Sequence, residues 1–162
     1  MSIAVAPRPP LEANTLPPVV APTVRRCYDV LDLCRGCGII DFTDGKYIDS
    51  CNDRTGYLAA QRRQAAYLLD EVGCGRGSRL LDIGCGYGRI LQAATARGAA
   101  ATGLTISPPQ VASCRKRGID VRLCNYRELF TRGEYDSWDH AFDGIIANGS
   151  LEHFVQCEDA TA

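Results

Sequence analysis

The sequence lacks an excess of charge of either sign and lacks any long apolar run. Its 162 residues include 18 lysines and arginines and 19 aspartates and glutamates, for a formal net charge of -1. This balance gives no electrostatic reason to expect nucleic acid or an anionic membrane surface as a partner. No stretch approaches the apolar length of a transmembrane helix, and prolines interrupt the N-terminus where a signal peptide needs an apolar run. We therefore expect a cytoplasmic globular protein without a transmembrane segment, and we leave open transient contact with a membrane surface and the oligomeric state.

The cysteines also lack the spacing of a metal site. A zinc site made of cysteines usually has two Cys-x-x-Cys pairs, and this sequence has one, Cys34 and Cys37. Cys27 and Cys51 are candidates for two further ligands, although no spacing rule supports that set. The nine cysteines are an odd number scattered through a chain without a secretion signal, which favours reduced thiols. We therefore expect no bound metal.

The N-terminal part is predicted to contain a tail followed by a helical cap. Most of the prolines lie in residues 1–23, where they remove backbone donors, so we expect a flexible tail. Residues 24–76 are the predicted cap, because apolar side chains recur there at helical spacing in two segments. These are Val24, Cys27, Tyr28, Leu31 and Cys34 in the first helix, and Leu58, Ala65, Leu68, Leu69 and Val72 in the second. Gln61 and Gln64 are among the polar positions of the second helix.

Residues 77–162 show alternating short strands and helices, which is the pattern of an α/β fold. Such alternation predicts right-handed βαβ units and a parallel sheet, in which ligands bind at the carboxyl ends of the strands. The predicted strands are Arg79 to Ile83, Ala100 to Thr105, Val121 to Cys124 and Phe142 to Ala147, and the predicted helices are Arg89 to Arg97 and Pro108 to Arg117.

A glycine-rich turn follows the first of these strands. Glycines stand at every second position, 84, 86 and 88, so a ligand can lie against bare backbone beside the start of a helix. A dinucleotide fingerprint would have a glycine where Arg89 stands and a carboxylate about 20 residues further on, but residues 102–107 contain none. A phosphate-binding P-loop would need a Gly-Lys-Ser/Thr run, which does not follow. The alternative is an ordinary strand–turn–helix connection.

The segment from Leu80 to Gly88 resembles the G-x-G-x-G loop of class I S-adenosylmethionine-dependent methyltransferases. The resemblance implies a Rossmann-like methyltransferase fold, of which this chain contains the first four strands in the order 3-2-1-4. Asp82 would then help to hold the cationic methionine portion of the cofactor. The loop residues that would cradle the cofactor are Gly84, Cys85, Gly86 and Gly88.

The end of the second strand narrows the resemblance to one family within this class of methyltransferases. Gly103 to Gln110 is similar to the segment G-V/L-T-L/I-S-x-x-Q of the cyclopropane-fatty-acyl-phospholipid synthase family. In that family the segment contacts the ribose and adenosine of the cofactor, which implies such roles for Thr105, Ile106 and Gln110. The alternative is that Ser107 is a helix N-cap and that Gln110 is a solvated helix residue.

The third strand ends in Cys124 to Arg127, which is similar to the D-Y-R turn of the same family. In many methyltransferases an acid at this turn accepts the adenine amino group. Asn125 replaces the acid here, and its carbonyl can still accept a hydrogen bond. Tyr126 is a candidate to stack on the adenine ring, although an aromatic residue after a strand is equally often part of the core.

The fourth strand leads into Asn148 to Phe154, which resembles the family segment that ends in F-E-H. The match implies that Asn148 contacts the methionine part of the cofactor and that Glu152 helps to hold a bicarbonate ion. Glu152 and His153 are the catalytic candidates. The alternatives are a glutamate that is favourable at a helix start and a structural histidine.

The resemblance implies transfer of a methyl group from S-adenosylmethionine to a lipid alkene or to a small molecule. With an alkene, bicarbonate would remove the proton that allows the ring to close; with a small molecule, His153 could assist. The later strands of the fold and the family's later lipid-pocket and bicarbonate residues have no counterpart, so we expect a truncated product or fragment whose fourth strand is an uncovered edge. The alternative hypothesis is a catalytically silent cofactor-binding or interaction module.

Overall fold

The computed structural model describes residues 26–27, 30–31, 33, 35, 44–48, 53–130 and 133–151. The tail over residues 1–23, the thiols of Cys34, Cys37 and Cys51, and the pair Glu152 and His153 lie outside these residues. Of the first predicted helix, residues 26, 27, 30, 31 and 33 are described and are helical. Within the described ranges every helix is too short or too polar to cross a bilayer, and no three metal-binding side chains are grouped together.

The described elements alternate between strands and helices from residue 79 onward, as predicted. The helices are α1 (Arg54–Glu71), α2 (Arg89–Ala96) and α3 (Pro108–Lys116), and the strands are β1 (Arg79–Ile83), β2 (Ala100–Thr105), β3 (Val121–Leu123) and β4 (Gly144–Ile146). Two 3-10 helices, Tyr126–Phe130 and Gly133–Trp138, lie between β3 and β4 and were not predicted.

The strands form a parallel sheet in the order β3-β2-β1-β4, which confirms the predicted order. In the register of this sheet, Leu81 of β1 pairs with Thr102 of β2 on one side and with Ile145 of β4 on the other. The carboxyl end of β1 therefore lies between those of β2 and β4. β3 and β4 are the edges of the described sheet.

Successive residues of β1 serve opposite faces of the sheet, because side chains alternate along a strand. Leu80 is fully buried in a cluster with Leu69 of α1 and Ile90 of α2. Leu81 belongs to a second cluster that contains Tyr135 and is bordered by Trp138. The helices thus cover one face of β1, and the segment with the 3-10 helices covers the other.

The first turns of α1 differ from the prediction in one respect. The helix begins at Arg54, and the carboxylate of the N-cap residue Asp53 accepts a hydrogen bond from the Gly56 N–H at 2.8 Å. Gln61, a polar position in the sequence, is fully buried. The segment 44–48 lies against it, since the Lys46 N–H donates to the Ala60 carbonyl at 3.0 Å. The segment 44–48 accounts for this burial, and the spacing of apolar residues within the helix could not predict its position.

β4 is shorter than the predicted strand, because its first residues make other contacts. The ring of Phe142 packs edge-on against Trp138, with centroids 5.2 Å apart. The carboxylate of Asp143 accepts a hydrogen bond from the Arg79 N–H at 2.8 Å and forms an ion pair with its guanidinium at 3.2 Å. Pairing with β1 therefore starts at Gly144.

We expect the substitution Gly103→Ala in β2 to destabilise the fold by roughly 1–3 kcal/mol, because it overpacks a filled core. An added Cβ would lie 2.6 Å from Sγ of Cys85 and from Cδ1 of Leu91. Gly75→Ala is the matched control, since its Cβ would meet nothing within 4 Å. Urea unfolding followed by circular dichroism measures both variants. Equal midpoints for the two variants would contradict the packing described for Gly103.

Candidate functional site

The carboxyl ends of the strands bring together the segments that the sequence singled out. β1 ends at Ile83 and leads into the glycine loop, residues 84–88, while β2 ends at Thr105 beside the start of α3. β3 is followed by Asn125, and β4 by Asn148. Because all four strands are parallel, these segments lie at one edge of the sheet.

The glycine loop is fastened to the end of β2 by its backbone. The N–H groups of Gly84 and Cys85 both donate to the carbonyl of Leu104, each at 2.9 Å. The φ angles of the three glycines are 81° at residue 84, 54° at residue 86 and 76° at residue 88. Residues other than glycine rarely adopt φ angles in this left-handed region, so the alternating glycines are needed for the turn itself.

The loop ends at the uncapped start of α2. Gly88 is the N-cap residue, and as a glycine it contributes no side-chain hydrogen bond to the first turn of the helix. The first N–H groups of a helix have no partners within the helix, and the helix dipole adds partial positive charge there. This end of α2 is therefore suited to a carboxylate or another anion.

Asp82, the last residue but one of β1, carries the opposite charge when it is ionised. Its side chain is 1% exposed, and its Oδ2 atom has no hydrogen-bond partner among the described residues. Burial raises the pKa of this carboxyl to about 7. A buried carboxylate oxygen without a partner is destabilising unless a cation or donor reaches it. The amino group of a bound ligand would satisfy it.

The Cys85 side chain is a packing element of the loop. It is buried against Leu91 and Val111 in the core between α2 and α3. Burial raises the pKa of this thiol well above its ordinary value, and the nearby Asp82 adds to that shift. The thiol therefore stays protonated and is a poor nucleophile.

Ser150 is a residue of the site that the sequence analysis missed. Its hydroxyl donates to the carbonyl of Ile83 at 2.6 Å. Its side chain occupies the space beside Gly84, where an added Cβ would lie 2.4 Å from the Ser150 Cβ. The turn after β4 is thus locked onto the end of β1. A serine 66 positions from its glycine partner carries no sequence signal of this contact.

Thr105 and Gln110 are brought together, and both are buried. The Thr105 hydroxyl donates to Oε1 of Gln110 at 2.5 Å and accepts from the Ser107 N–H at 3.2 Å. Gln110 is therefore held in the site and is not a solvated helix residue. Ser107 is the N-cap of α3, but its side chain makes no capping hydrogen bond. Ile106 between them is half-buried.

The turn after β3 is organised by the Asn125 side chain. Its Oδ1 accepts a hydrogen bond from the Arg127 N–H at 3.2 Å. The Tyr126 side chain is half-buried, and its hydroxyl oxygen accepts from Nε of Arg127 at 3.0 Å. One lone pair of the Asn125 oxygen is therefore used within the turn, and a carbonyl oxygen carries two.

Asn148 lies at the end of β4 and is half-buried. Its Oδ1 faces Nε2 of Gln64 on α1 at 3.4 Å, a contact that joins the helical segment to the site. The catalytic candidates Glu152 and His153 follow within five residues and lie outside the described part of the chain.

Comparison with known proteins gives matches over most of the described chain. Residues 46–160 match the family model of mycolic acid cyclopropane synthetase. The tuberculostearic acid methyltransferase UfaA1 of Mycobacterium tuberculosis is 38% identical over 91 residues, covering 51% of this chain and 21% of that protein. Cyclopropane mycolic acid synthase 2 of Mycobacterium bovis is 32% identical over 97 residues, covering 59% of this chain and 32% of that protein. The chain thus spans about a fifth to a third of the length of these relatives.

Two solved structures share the fold. The cyclase SpnF matches with a TM-score of 0.54 and 26% identity over 65% of this chain and 43% of that one. The mycolic acid cyclopropane synthase CmaA1, in a complex with SAH and CTAB, matches with a TM-score of 0.54 and 24% identity over 67% of this chain and 41% of that one. With the strand order, these matches confirm the predicted Rossmann-like methyltransferase fold.

We expect Asp82→Asn to raise the free energy of unfolding at pH 8, by at most about 4 kcal/mol. The pKa of Asp82 is about 7 in the folded protein against 3.8 without burial. The folded state therefore binds more protons than the unfolded state between these values. Stability is lost as the pH rises from about 4 to about 7, and the amide variant escapes this loss.

Urea unfolding of both proteins at pH 5 and pH 8 tests the sign. Asp143→Asn is the control with the opposite expectation, because hydrogen bonds from Arg79 lower the pKa of Asp143. That variant should lose stability at pH 8. A lower unfolding midpoint for Asp82→Asn at pH 8 would show that the Asp82 carboxylate is satisfied within the protein.

Proposed function

This chain belongs to the mycolic acid cyclopropane synthetase family, and from that membership we propose that it binds S-adenosylmethionine and carries the cofactor half of a methyltransferase. The observation that carries the proposal is the pairing of opposite charges at one strand end. Asp82 presents a buried carboxylate oxygen, Oδ2, that has no hydrogen-bond partner among the described residues, and the N-cap of α2 after it is a glycine without a capping side chain. A free amino acid group, with its ammonium and carboxylate, complements both.

The amino acid portion of the cofactor is assigned to the end of β1. Its ammonium would pair with Asp82, and its carboxylate would accept from the N–H groups at the start of α2. Gly86 lies in the middle of the loop, where an added Cβ would meet nothing within 4 Å. This open side of the loop leaves room for a ligand. Asn148, at the end of the neighbouring strand β4, is proposed to contact the same portion.

The adenosine portion is assigned to the ends of β2 and β3. Gln110 would bind the ribose hydroxyls, held in place by Thr105. Asn125 would accept from the adenine amino group through the lone pair that the Arg127 N–H does not use. Tyr126 would pack on the ring, and Ile106 would line the pocket beside it.

The cofactor would supply an electrophilic methyl group bonded to a positively charged sulfur. The task of this chain is then to hold the methyl in line with an acceptor and to exclude water. The relatives include proteins named as a tuberculostearic acid methyltransferase and as cyclopropane mycolic acid synthases. Another is named as a ubiquinone biosynthesis O-methyltransferase, 30% identical over 88 residues. We therefore propose a lipid alkene as the first candidate for the methyl acceptor and a small molecule as the second. We propose the cytoplasm as the location of the protein.

The catalytic roles proposed from the family resemblance fall on Glu152 and His153. Glu152 would help to hold a bicarbonate ion, which would accept the proton released when an alkene is methylated and closes to a ring. With an oxygen or nitrogen acceptor, no bicarbonate is needed, and His153 would take up the proton.

We expect S-adenosylhomocysteine to bind about tenfold more weakly at pH 6 than at pH 8, because Asp82 must be ionised to pair with the ligand ammonium. The pKa of about 7 places this change between the two values. Asp82→Asn should weaken binding at pH 8 and remove the pH dependence. Isothermal titration calorimetry measures each affinity, with NAD as the control ligand that should not bind. Equal affinity of the two proteins at pH 8 would contradict the role of Asp82.

We expect methyl transfer from methyl-labelled S-adenosylmethionine to vesicles of an unsaturated phospholipid, and loss of the product when bicarbonate is removed. Glu152→Gln should lower the rate by about 10²-fold or more, as expected for loss of acid–base assistance. A methyl-transfer rate that does not depend on bicarbonate but is lost in His153→Ala would instead indicate transfer to an oxygen or nitrogen atom, with His153 taking up the proton. Binding without transfer to either acceptor class would identify the chain as a cofactor-binding module.

A further inference from the structure

Tyr87 occupies the position between the last two glycines of the loop, and it is buried. Most of its neighbours in the loop are glycines, so Tyr87 carries the largest side chain through which other parts of the protein can contact this turn. Two arginines from distant parts of the chain contact it. Arg35 contacts its ring, and Arg117 contacts its backbone.

Arg35 belongs to the N-terminal part of the chain and contacts the loop through the Tyr87 ring. Its guanidinium carbon lies 3.8 Å from the centroid of the Tyr87 ring, which is the geometry of a cation–π contact. Its Nη1 donates to the Ser113 hydroxyl on α3 at 3.0 Å. The guanidinium is thus held over the ring by α3.

Arg117 reaches the loop from the end of α3. Its Nη2 donates to the carbonyl of Tyr87, and its Nε donates to the carbonyl of Ser113 at 3.2 Å. One planar group therefore bridges a carbonyl of the loop and a carbonyl of the helix. A lysine ammonium lacks the fixed fork that spans two such acceptors.

The outer carbonyls of the loop are held by the ordinary bonds of a turn and a helix. The carbonyl of Cys85 accepts from the Gly88 N–H at 2.8 Å. The carbonyl of Gly88 accepts from the Gln92 N–H at 2.9 Å. These two bonds come from the backbone of the loop and of α2.

The two inner carbonyls depend on side chains instead. The carbonyl of Gly86 accepts weak hydrogen bonds from the thiols of Cys85 at 3.8 Å and Cys114 at 3.7 Å. The carbonyl of Tyr87 accepts a hydrogen bond from the charged guanidinium of Arg117. All four carbonyls of residues 85–88 are therefore engaged within the protein, and a carboxylate that approaches the loop meets none of them unpaired.

We propose that Arg35 and Arg117 form an arginine clamp, a pair of positioning residues that hold the glycine loop in the shape that accepts the amino acid portion of S-adenosylmethionine. The inference rests on the proposed cofactor. Neither arginine needs to touch the ligand, since both act through Tyr87. Without Arg117, the Tyr87 carbonyl loses its charged donor, and the turn before α2 is free to rotate this oxygen toward an incoming carboxylate.

The clamp makes a prediction that distinguishes it from a general support of the fold. It acts on the loop that would hold the amino acid portion, whereas the ends of β2 and β3 would hold the adenosine. 5′-Methylthioadenosine has the adenosine and the sulfur but lacks the amino acid. Loss of the clamp should therefore weaken S-adenosylhomocysteine and leave 5′-methylthioadenosine almost unchanged.

The test is calorimetric titration of the full chain with these two ligands at pH 8. We expect Arg117→Ala to weaken S-adenosylhomocysteine roughly tenfold, the factor that corresponds to one hydrogen bond with a charged donor. Arg35→Ala should weaken it roughly threefold to fivefold, as for a partly exposed cation–π contact. Arg117→Lys should give an intermediate affinity. Added guanidinium ion at millimolar concentration should partly restore Arg117→Ala without changing the wild type.

Arg115→Ala is the matched control, because it removes the same charge from the exposed part of the last turn of α3. Its affinities should equal those of the wild type. If Arg117→Ala weakens both ligands by the same factor, or neither, the clamp is overturned and the proposed function stands. A wild-type protein that binds neither ligand overturns the proposed function, and the clamp's role with it. Urea midpoints of all variants show whether a change in affinity merely follows a loss of folding.

Discussion

The site depends on one carbonyl, that of Leu104, which accepts the N–H groups of both Gly84 and Cys85. Leu104 lies in the last residues of β2, opposite Ile83 in the register of the sheet. The two hydrogen bonds carry the β1–β2 pairing beyond the end of β1 and turn the chain at the same time. Everything that follows, from the positive φ angles of the glycines to the start of α2, is placed by this turn. A backbone anchor of this kind does not depend on which side chains the anchoring residues carry, whereas the turn that it starts requires glycine at the positions with positive φ.

The same strand end is a place where stability and ligand binding are opposed. Asp82 follows Leu80 on the helix-covered side of the sheet, where an apolar residue would pack without loss. Instead, a carboxyl is buried with a pKa of about 7, and one of its oxygens has no partner within the described part of the chain. Burial of such a group lowers the stability of the folded protein, and a cation beside the carboxylate would offset this loss. Ser150 compensates in part, because its hydroxyl satisfies the Ile83 carbonyl and fastens the turn after β4 to this strand.

The sequence predicted what local patterns encode. β1 and β2 have the predicted bounds, α2 and α3 end one residue early, and the strand order is as expected. The misses are contacts between residues far apart in the chain. The burial of Gln61 arises from the segment around Gly45, and the contact of Ser150 with Gly84 joins two turns. No period or spacing reports such contacts, since each depends on how whole elements pack.

The two halves of the proposed cofactor site differ in how they are built, and this difference decides what each can recognise. The half at β1 consists of backbone, a helix start and one buried carboxyl, so its charges are complementary to those of an amino acid group. In the half at β2 and β3, side-chain groups are already bonded to one another: Thr105 to Gln110, and Asn125 to the Arg127 N–H. These bonded groups have fewer lone pairs and donors left for a ligand, so shape and stacking would add to the hydrogen bonds proposed for Gln110 and Asn125. If the proposed cofactor binds here, the charged half would therefore contribute most to the discrimination between ligands. It is also the half whose geometry is maintained by residues that the glycine motif does not contain.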